Sequence, residues 1–453
     1  MNTTVGDNAA LKEKTLRRIA IASAIGTTIE WYDFFLYGVL AAIVLNHVFF
    51  PSYSPTIGTL LSYTTFAIGF VARPVGGIIF GHFGDRMGRK TILLLTLGIM
   101  GVSTFLIGAL PGYATLGNAA PLLLLLLRVL QGIGIGGEWG GAVVLAIEHA
   151  PVGRRSHFGA YPQIGVPAGL LTSSAVVGLL NLLPKDDFML WGWRIAFLGS
   201  IVLVAVGVFI RLRIMESPEF LGVKERRAES RVPLFDMFRL YPRGAFLTLG
   251  ARYVEGACFN MFGVFIIAYA VGTLHVSRGF ALLGVSLGSA LMIPFILIFG
   301  TLADRIGLRR VFATGSLVIA VVSVGSFAVM NAYGESHPFL IWLAIFASLS
   351  LAYPMVYGPE SSLFASQFDA RVRYTGVSFA YQVSGIFASG LTPIFATILL
   401  RLDQGKPWYL SAYMIAVSLI SFASVMAMRI PAVPVETDDT SMPLKPARIF
   451  TDG

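Results

Sequence analysis

The sequence predicts an all-α membrane protein with twelve transmembrane helices in two pseudo-symmetric six-helix bundles. Of the 453 residues, 56% are hydrophobic and only 13% are charged, whereas a typical soluble domain has about 25% charged residues. Twelve apolar segments follow one another along the chain, and each is long enough to supply the roughly 20 residues that a helix needs to cross a bilayer. A charged motif at the end of the second segment recurs at the end of the eighth.

The apolar segments divide the chain into two sets of six. The first set covers about 19–45, 57–83, 91–112, 120–148, 156–183 and 191–212, and the second covers about 243–271, 279–302, 310–332, 338–362, 374–400 and 408–429. We therefore expect an N-terminal bundle at 19–212, a cytoplasmic linker at 213–242 and a C-terminal bundle at 243–429. The polar ends predict a cytoplasmic N-terminal tail at 1–18 and a proline-rich, disordered cytoplasmic tail at 430–453.

Positive charge is distributed unequally between the two sides of the predicted membrane. Of the 33 Lys and Arg residues, 25 lie in segments that share a side with the N-terminus. The loops on the opposite side contain only Lys185, Arg194, Arg278, Arg401 and Lys406. Because Lys and Arg accumulate in cytoplasmic loops, this bias predicts that both termini lie in the cytoplasm. The net charge of +9 is therefore explained by this distribution and does not indicate a nucleic-acid partner.

The repeated motif marks the cytoplasmic ends of two helices. Gly81-His-Phe-Gly-Asp85-Arg86-Met-Gly88-Arg89 is followed, 219 residues later, by Gly300-Thr-Leu-Ala-Asp304-Arg305-Ile-Gly307. The resemblance described in the next paragraph implies that each Asp caps a neighbouring helix and closes a gate, and a carboxylate is favourable at a helix N-terminus. The alternative is a plain basic loop. The predicted gating residues are Gly81, Asp85, Arg86, Gly88, Arg89, Glu148, Asp304 and Arg305, with Glu148 as the partner of Arg89.

These motifs resemble the signature loop of the major facilitator superfamily. Three further segments are similar to its metabolite:proton symporter branch, whose members carry shikimate, 2-oxoglutarate, citrate or proline and betaine. They are Glu30-Trp-Tyr-Asp33-Phe, Arg73-Pro-Val-Gly-Gly, and Arg128-Val-Leu-Gln-Gly-Ile-Gly-Ile-Gly-Gly-Glu138-Trp. Arg252 with Glu255, and Tyr381-Gln382, look like the pattern of shikimate carriers. The resemblance implies the major facilitator fold and proton-coupled symport of a small organic acid by alternating access.

Acidic residues inside apolar segments are candidates for proton coupling, because burying a charge in the membrane is costly. Glu30 and Asp33 are three residues apart and share one face of the first helix, roughly 15–20 Å into the bilayer at a rise of 1.5 Å per residue. Together with Glu138, they are the predicted proton-coupling residues. The alternatives are a permanent pair between Asp33 and a buried arginine, and a structural hydrogen bond from Glu138 to a neighbouring helix.

Buried arginines are candidates for binding a substrate carboxylate, since a guanidinium forms bidentate hydrogen bonds with it. Arg128 has this role or is the ionic partner of Asp33. Arg252 and Glu255 form either an internal pair that opens for substrate or a static one, and Arg73 is expected to be structural. Other predicted cavity-lining residues are Tyr32, Tyr37, Gln163, Asn260, Tyr381 and Gln382.

Other classes of function are poorly supported. Gly132-x-Gly134-x-x-Gly137 matches a dinucleotide fingerprint but lies in an apolar helix without a preceding strand. We find no phosphate-binding loop, no metal-type histidine spacing and no nucleophile–base constellation, so an enzyme, a cofactor and a metal are not expected. The expected partners of this monomer are a small organic acid, a proton and the bilayer. The alternatives are an uncoupled uniporter or exchanger, a carrier of a zwitterion such as betaine, and a transporter-like receptor.

Overall fold

The computed structural model describes residues 5–227 and 230–430, apart from the side chains of 5–12, 42, 43, 55, 56, 59 and 63. Throughout this part of the chain the regular structure is helical. The predicted tail at 430–453 lies outside the described residues except for its first residue, and so do the first four residues of the N-terminal tail.

Twelve long helical rods make up the described chain. Those of the N-terminal half are α1 (Val5–Leu40), α2 (Pro55–Met87), α3 (Arg89–Ala109), α4 (Ala119–His149), α5 (Val152–Leu180) and α6 (Lys185–Leu212). Those of the C-terminal half are α7 (Pro242–Gly272), α8 (Arg278–Ile306), α9 (Leu308–Tyr333), α10 (Phe339–Ala365), α11 (Arg373–Leu402) and α12 (Trp408–Ala427). Two short helices, Pro218–Glu225 and Pro233–Leu240, lie in the predicted linker.

Eleven of these rods, α2 to α12, are long and apolar enough to cross a membrane. The remaining rod, α1, is less apolar because Glu30 and Asp33 lie within it. Apolar side chains are exposed on the outer surface, as on α4 at Leu122, Leu126 and Leu130, where lipid is the appropriate solvent. The predicted all-α membrane fold is thereby confirmed.

Several rods contain a π-helical turn near their middle. Three of these turns are in the C-terminal half, at Asn260–Phe265 in α7, Phe346–Ala352 in α10 and Ile386–Gly390 in α11. A π turn inserts an extra residue and rotates the side chains that follow it, and such turns are frequent at functional sites. In α7 the turn directly follows the segment that carries Arg252 and Glu255.

The internal repeat has a counterpart in the backbone. Gly88 separates α2 from α3 with φ 110°, and Gly307 separates α8 from α9 with φ 103°. An L residue with a side chain rarely adopts this conformation, which explains why glycine occupies both positions. The two glycines allow each pair of helices to reverse direction without a longer loop.

Close packing within and between the halves places the functional residues. Small residues let α2 and α4 touch, since a Cβ at Gly136 would lie 2.1 Å from the carbonyl oxygen of Arg73. Between the halves, α2 packs against α11 and α5 packs against α8. These two contacts are equivalent in the two repeats, and the central residues described below lie between them.

Candidate functional site

A buried arginine on α7 is the centre of a charged cluster in the C-terminal half. The Nη2 atom of Arg252 lies 3.4 Å from Glu255 Oε2, and its Nε lies 3.8 Å from Glu360 Oε1. The hydroxyl of Tyr353 donates a hydrogen bond of 2.7 Å to Glu255. The guanidinium lies 3.7 Å from the ring centroid of Tyr381. We call these five residues the Arg252 cluster.

The sequence predicts three members of the Arg252 cluster and misses the other two. Arg252 and Glu255 pair across one turn of α7, as their spacing indicates. Glu360 is absent from the predicted set, although it is the only charged residue in the apolar segment 338–362 and is completely buried. That isolation is the signal that would have identified it. Tyr353 gives no such signal, because a tyrosine in an apolar helix is usually a packing residue.

The Arg252 cluster adjoins the interface between the halves. The ring of Trp139 on α4 stacks on Tyr381 with a centroid distance of 3.6 Å. Trp139 donates to Gln163 Oε1 at 2.7 Å, and Gln163 donates to the carbonyl of Tyr357 at 3.1 Å. Gln382 donates to the carbonyl of Gly136 at 2.9 Å. The predicted residues Gln163, Tyr381 and Gln382 therefore lie together where α4 and α5 meet α10 and α11.

Two predicted cavity-lining residues have other surroundings. The hydroxyl of Tyr32 donates to the carbonyl of Ala196 on α6 at 3.1 Å, so it braces two helices of the N-terminal half. Asn260 is half-buried and donates to the carbonyl of Gly256 on its own helix at 2.9 Å. A polar side chain in an apolar helix satisfies its hydrogen bonds locally, and neither residue joins the Arg252 cluster.

A second buried network links Arg128 to Asp33. Arg128 donates to Gln131, Gln131 donates to Thr104 Oγ1 at 2.7 Å, and Thr104 donates to Asp33 Oδ2 at 2.9 Å. The Arg128 guanidinium lies 4.2 Å from the ring centroid of Tyr37. We call these residues the Arg128 network. Among the described residues Asp33 forms no direct ion pair, and a relay of hydrogen bonds stands in place of the pair with Arg128 that was one of the two alternatives.

The other two acids predicted for proton coupling differ in their partners. Glu138 is paired with Arg211 on α6, and its Oε2 also accepts hydrogen bonds from Arg211 at 3.0 Å and Thr96 at 2.9 Å. Arg211 is at the end of the predicted segment 191–212, and the structure places it, buried, in the last turn of α6. Glu30 is also buried, close enough to Arg73 for an electrostatic interaction.

At the predicted cytoplasmic ends of the helices, Asp85 joins the two halves. Its carboxylate accepts hydrogen bonds from the backbone N–H groups of Tyr374 and Thr375, at 3.2 Å and 2.9 Å, in the first turn of α11. Arg89 lies 3.3 Å from Asp85 and 3.3 Å from Glu148. The predicted contact of Arg89 with Glu148 is therefore present. The Asp85 carboxylate satisfies backbone N–H groups at the start of α11 that have no partner within the helix itself.

The second copy of the motif makes the equivalent contact. Asp304 accepts hydrogen bonds from the N–H groups of Ser156 and His157, both at 2.8 Å, near the start of α5. Gly81 and Gly300 make both approaches sterically feasible. A Cβ would lie 2.9 Å from Thr375 Cα in one case and 2.9 Å from the Ser156 carbonyl oxygen in the other.

The linker adds an ionic bridge across the same face. Glu219 forms ion pairs with Arg155 at the start of α5 and with Arg373 at the start of α11. Arg373 also lies 2.9 Å from Glu148. Burial favours the neutral carboxyl, but Arg373 and Arg155 outweigh it and lower the pKa of Glu219. We call Asp85, Arg89, Glu148, Glu219 and Arg373 the latch cluster.

Two predicted gating arginines are not part of the latch cluster. Arg86 and Arg305 are exposed, and the hydrogen bond of Arg86 goes to His82 at 3.4 Å on its own helix. They follow Asp85 and Asp304 directly in the sequence, and consecutive residues on a helix point in different directions. Arg155, Arg373 and Glu219 supply the ionic contacts instead, and sequence spacing gave no indication of them.

The chain matches the Major Facilitator Superfamily over residues 23–390. It is 38% identical over 436 residues to the shikimate transporter of Escherichia coli K12, with coverage of 94% of this chain and 98% of that protein. It is 30% identical over 441 residues to the proline/betaine transporter of the same strain, with coverage of 94% and 86%. The fold is similar to that of the proton:xylose symporter XylE bound to 6-bromo-6-deoxy-D-glucose, with a TM-score of 0.71, 17% identity and coverage of 92% and 95%.

The family match covers most of the chain, and the two similar proteins cover nearly all of it. Proteins of this family and fold are transporters of small molecules and not enzymes, in agreement with the sequence prediction. The chain therefore belongs to the major facilitator superfamily and is a multi-pass membrane transporter.

Proposed function

We propose that the protein is a secondary active symporter that carries a small carboxylate into the cytoplasm together with protons. The observation that carries this proposal is Arg252, a permanently charged group buried beside the interface of the halves, with Glu255 and Glu360 around it. A guanidinium suits a carboxylate ligand. Two rocking halves around a central site are the usual basis of alternating access.

Asp33 is the group to which we assign a coupled proton. Only one of its oxygens, Oδ2, accepts a hydrogen bond among the described residues, and Arg128 reaches it through two intervening side chains. A buried carboxyl without a direct ion pair is neutralised at low cost. Glu138 has a direct partner in Arg211, so its protonation would leave a buried arginine unpaired. The contrast favours Asp33 over Glu138.

The substrate we propose is a hydroxylated cyclic monocarboxylate of the shikimate type. Its support is the 38% identity to a shikimate transporter together with the two buried arginines, Arg128 and Arg252. A zwitterion such as betaine is the alternative, favoured by the 30% identity to a proline/betaine transporter. We place the protein in the bacterial inner membrane with both termini in the cytoplasm, from the distribution of Lys and Arg.

The latch cluster is proposed to hold the cytoplasmic ends closed while the site is open to the other side. Asp85 and Asp304 each connect one half to the first turn of a helix in the other half. Glu219 bridges the same two helices. Opening to the cytoplasm requires that these contacts separate, so their strength sets the balance between the two states.

Uptake into proteoliposomes tests the proposal. Purified protein would be assayed with labelled shikimate, 2-oxoglutarate, citrate, benzoate and betaine, with an acidic exterior and with or without a protonophore. We expect protonophore-sensitive accumulation of one carboxylate in the wild type and a marked decrease of this accumulation in Asp33→Asn. Glu335→Gln is the matched control, because Glu335 is an exposed residue between α9 and α10.

The outcomes separate the alternatives. Uptake that is indifferent to the protonophore would exclude proton coupling and indicate a uniporter or exchanger. Uptake of betaine alone would exclude the carboxylate assignment. Full proton-driven uptake by Asp33→Asn would move the coupled proton to another acid.

A further inference from the structure

Glu360 is a buried acid to which the proposed cycle assigns no role. Its side chain is completely buried on α10. Among the residues that the structure describes, neither carboxylate oxygen of Glu360 accepts a hydrogen bond. Its contact is with Arg252, whose Nε lies 3.8 Å from Oε1. An ionised carboxylate in such surroundings is costly unless a donor or a close cation compensates it.

The other carboxylate at Arg252 is better compensated. Glu255 lies 3.4 Å from Arg252 and accepts a hydrogen bond of 2.7 Å from Tyr353. Two ionised carboxylates beside one guanidinium give the Arg252 cluster one net negative charge. A substrate carboxylate that approached Arg252 would add a second negative charge and face repulsion from both acids. Two buried acids that interact with each other titrate as a coupled pair, and the ionised form of one favours the neutral form of the other.

We propose that Glu360 is a second proton-binding residue of the transport cycle, and that its protonation is what allows a substrate carboxylate to bind Arg252. This inference rests on the proposed symport function. A proton from the outer medium binds the carboxylate of Glu360 and forms a neutral carboxylic acid. Arg252 then exchanges its weak contact with Glu360 for the substrate carboxylate. When the site opens to the cytoplasm, the substrate leaves and Glu360 releases the proton there.

The groups around Glu360 are consistent with a local exchange. It interacts electrostatically with Arg252 and Glu255 on α7, with Tyr381 on α11 and with Tyr357 on its own helix. The charged residues that other helices bring towards α10 are held by separate partners. These are Glu138 with Arg211, Glu148 with Arg89 and Arg373, Arg155 with Glu219, Asp304 with the N–H groups of Ser156 and His157, His157 with Thr301, and Arg309 with the carbonyl of Met428. Arg73 on α2 also interacts electrostatically with Arg252 and Tyr381. Among the described residues, Arg252 is the cation in direct contact with Glu360.

The inference is tested by separating proton-driven accumulation from exchange. Proteoliposomes with wild type, Glu360→Gln, Glu360→Asp or the exposed control Glu335→Gln would be assayed with the five labelled solutes named above. One assay measures accumulation driven by an inward proton gradient. The other measures counterflow against the same unlabelled solute at equal pH, which requires binding and rocking but no net proton movement.

Glutamine resembles the protonated carboxyl and cannot release a proton. We expect Glu360→Gln to retain counterflow within about threefold of wild type. Its gradient-driven accumulation should fall at least about tenfold below that of wild type, because one proton across one pH unit corresponds to a factor of ten. Glu360→Asp keeps a titratable group and should retain partial accumulation. Gradient-driven accumulation by Glu360→Gln equal to that of wild type would overturn the inference.

A binding measurement distinguishes the loss of a proton-binding group from misfolding of the variant. The solute that the wild type transports would be added to purified protein in weakly buffered detergent solution. The number of protons that the protein takes up per bound solute molecule would then be measured. We expect the wild type to take up about one proton more than Glu360→Gln, while Glu335→Gln equals the wild type. Equal uptake by wild type and Glu360→Gln would reject the inference. If the wild type accumulates none of the five solutes, the proposed function fails first and the inference fails with it.

Discussion

The pair of Glu138 and Arg211 shows that a buried charge in a membrane helix can be structural. Glu138 has a cation, a hydroxyl donor and almost no exposure. Asp33 and Glu360 are equally buried but lack a direct, close cation among the described residues. An acid that changes its protonation during a cycle must be able to lose its charge cheaply. That requirement separates Asp33 and Glu360 from Glu138 more clearly than burial does.

Glu138→Gln is predicted to destabilise the protein more than it changes coupling. The substitution leaves Arg211 buried without its anion, which typically costs about 3–5 kcal/mol. The thermal unfolding temperature of the purified protein in detergent should therefore fall clearly. The double variant Glu138→Leu with Arg211→Met should recover most of the loss, because apolar side chains of similar size need no partner. A stable Glu138→Gln that exchanges substrate but no longer accumulates it would instead make Glu138 a proton carrier.

Individual residues also show where sequence reasoning succeeds. The three-residue spacing of Arg252 and Glu255 determines that they share a helix face, so their contact was predictable. The partner of Glu138 was not, because Arg211 lies at a helix end where its position could equally mean a cytoplasmic loop. Tyr32 was assigned to the cavity as an aromatic residue of the first helix, whereas its hydroxyl donates to the carbonyl of Ala196 on α6. Contacts between distant segments need the packing of the helices, which no spacing rule supplies.

At the scale of elements, the first turns of α5 and α11 have equivalent roles. Each begins next to an arginine, Arg155 or Arg373, and each donates two N–H groups to an aspartate from the other half. The repeated motif predicted the two aspartates, although not the helices they cap. The linker was predicted only as a polar connection, yet its Glu219 contacts both arginines. The described linker is therefore part of the cytoplasmic closure.

Asp85→Ala is predicted to open the cytoplasmic side more often than Asp85→Asn. Asparagine caps a helix about as well as aspartate but loses the charge beside Arg89, whereas alanine loses both. Ser378→Cys, in a background with the buried Cys258 replaced by serine, would report opening through its rate of maleimide labelling, since Ser378 is fully buried on α11. We expect Asp85→Ala to be labelled at least about tenfold faster than the wild type, which corresponds to a shift of 1.4 kcal/mol in the free energy of opening. Arg86→Gln, at an exposed position, is the control and should label as the wild type does.

The effect of Glu219→Gln on opening at the latch cluster is predicted to be independent of pH between 5.5 and 8. Opening is again measured by the rate of maleimide labelling in the Ser378→Cys background. The pKa of Glu219 is lowered from its ordinary value of 4.5 because Arg373 and Arg155 outweigh the effect of burial. A lowered pKa means that the ionic contribution is fully present above the ordinary value and is lost only as the pH falls through the lowered one. The ratio of labelling rates of Glu219→Gln and wild type should thus stay constant across this range. A ratio that falls towards one near pH 6 would show that Glu219 titrates there.

At the scale of the whole molecule, the two halves differ in their buried charges although their folds are related. The N-terminal half contains the Arg128 network, and the C-terminal half contains the Arg252 cluster. Each combines a permanent cation with an acid that lacks full compensation. Under the proposed function, such an arrangement would give each half its own response to protons, while the latch cluster joins the two halves at one end of the helices. Alternating access would then couple the two responses.

This division predicts that transport moves net positive charge. If Asp33 and Glu360 each carry one proton with a substrate of one negative charge, one positive charge enters per cycle. A membrane potential that is negative inside should therefore accelerate uptake into proteoliposomes, and a potassium gradient with valinomycin at equal pH would impose it. Asp33→Asn or Glu360→Gln should each abolish this response, because one proton with one monoanion is electroneutral. Wild-type uptake that is indifferent to the potential would limit the cycle to one proton and leave a single acid, in one half of the molecule, as its carrier.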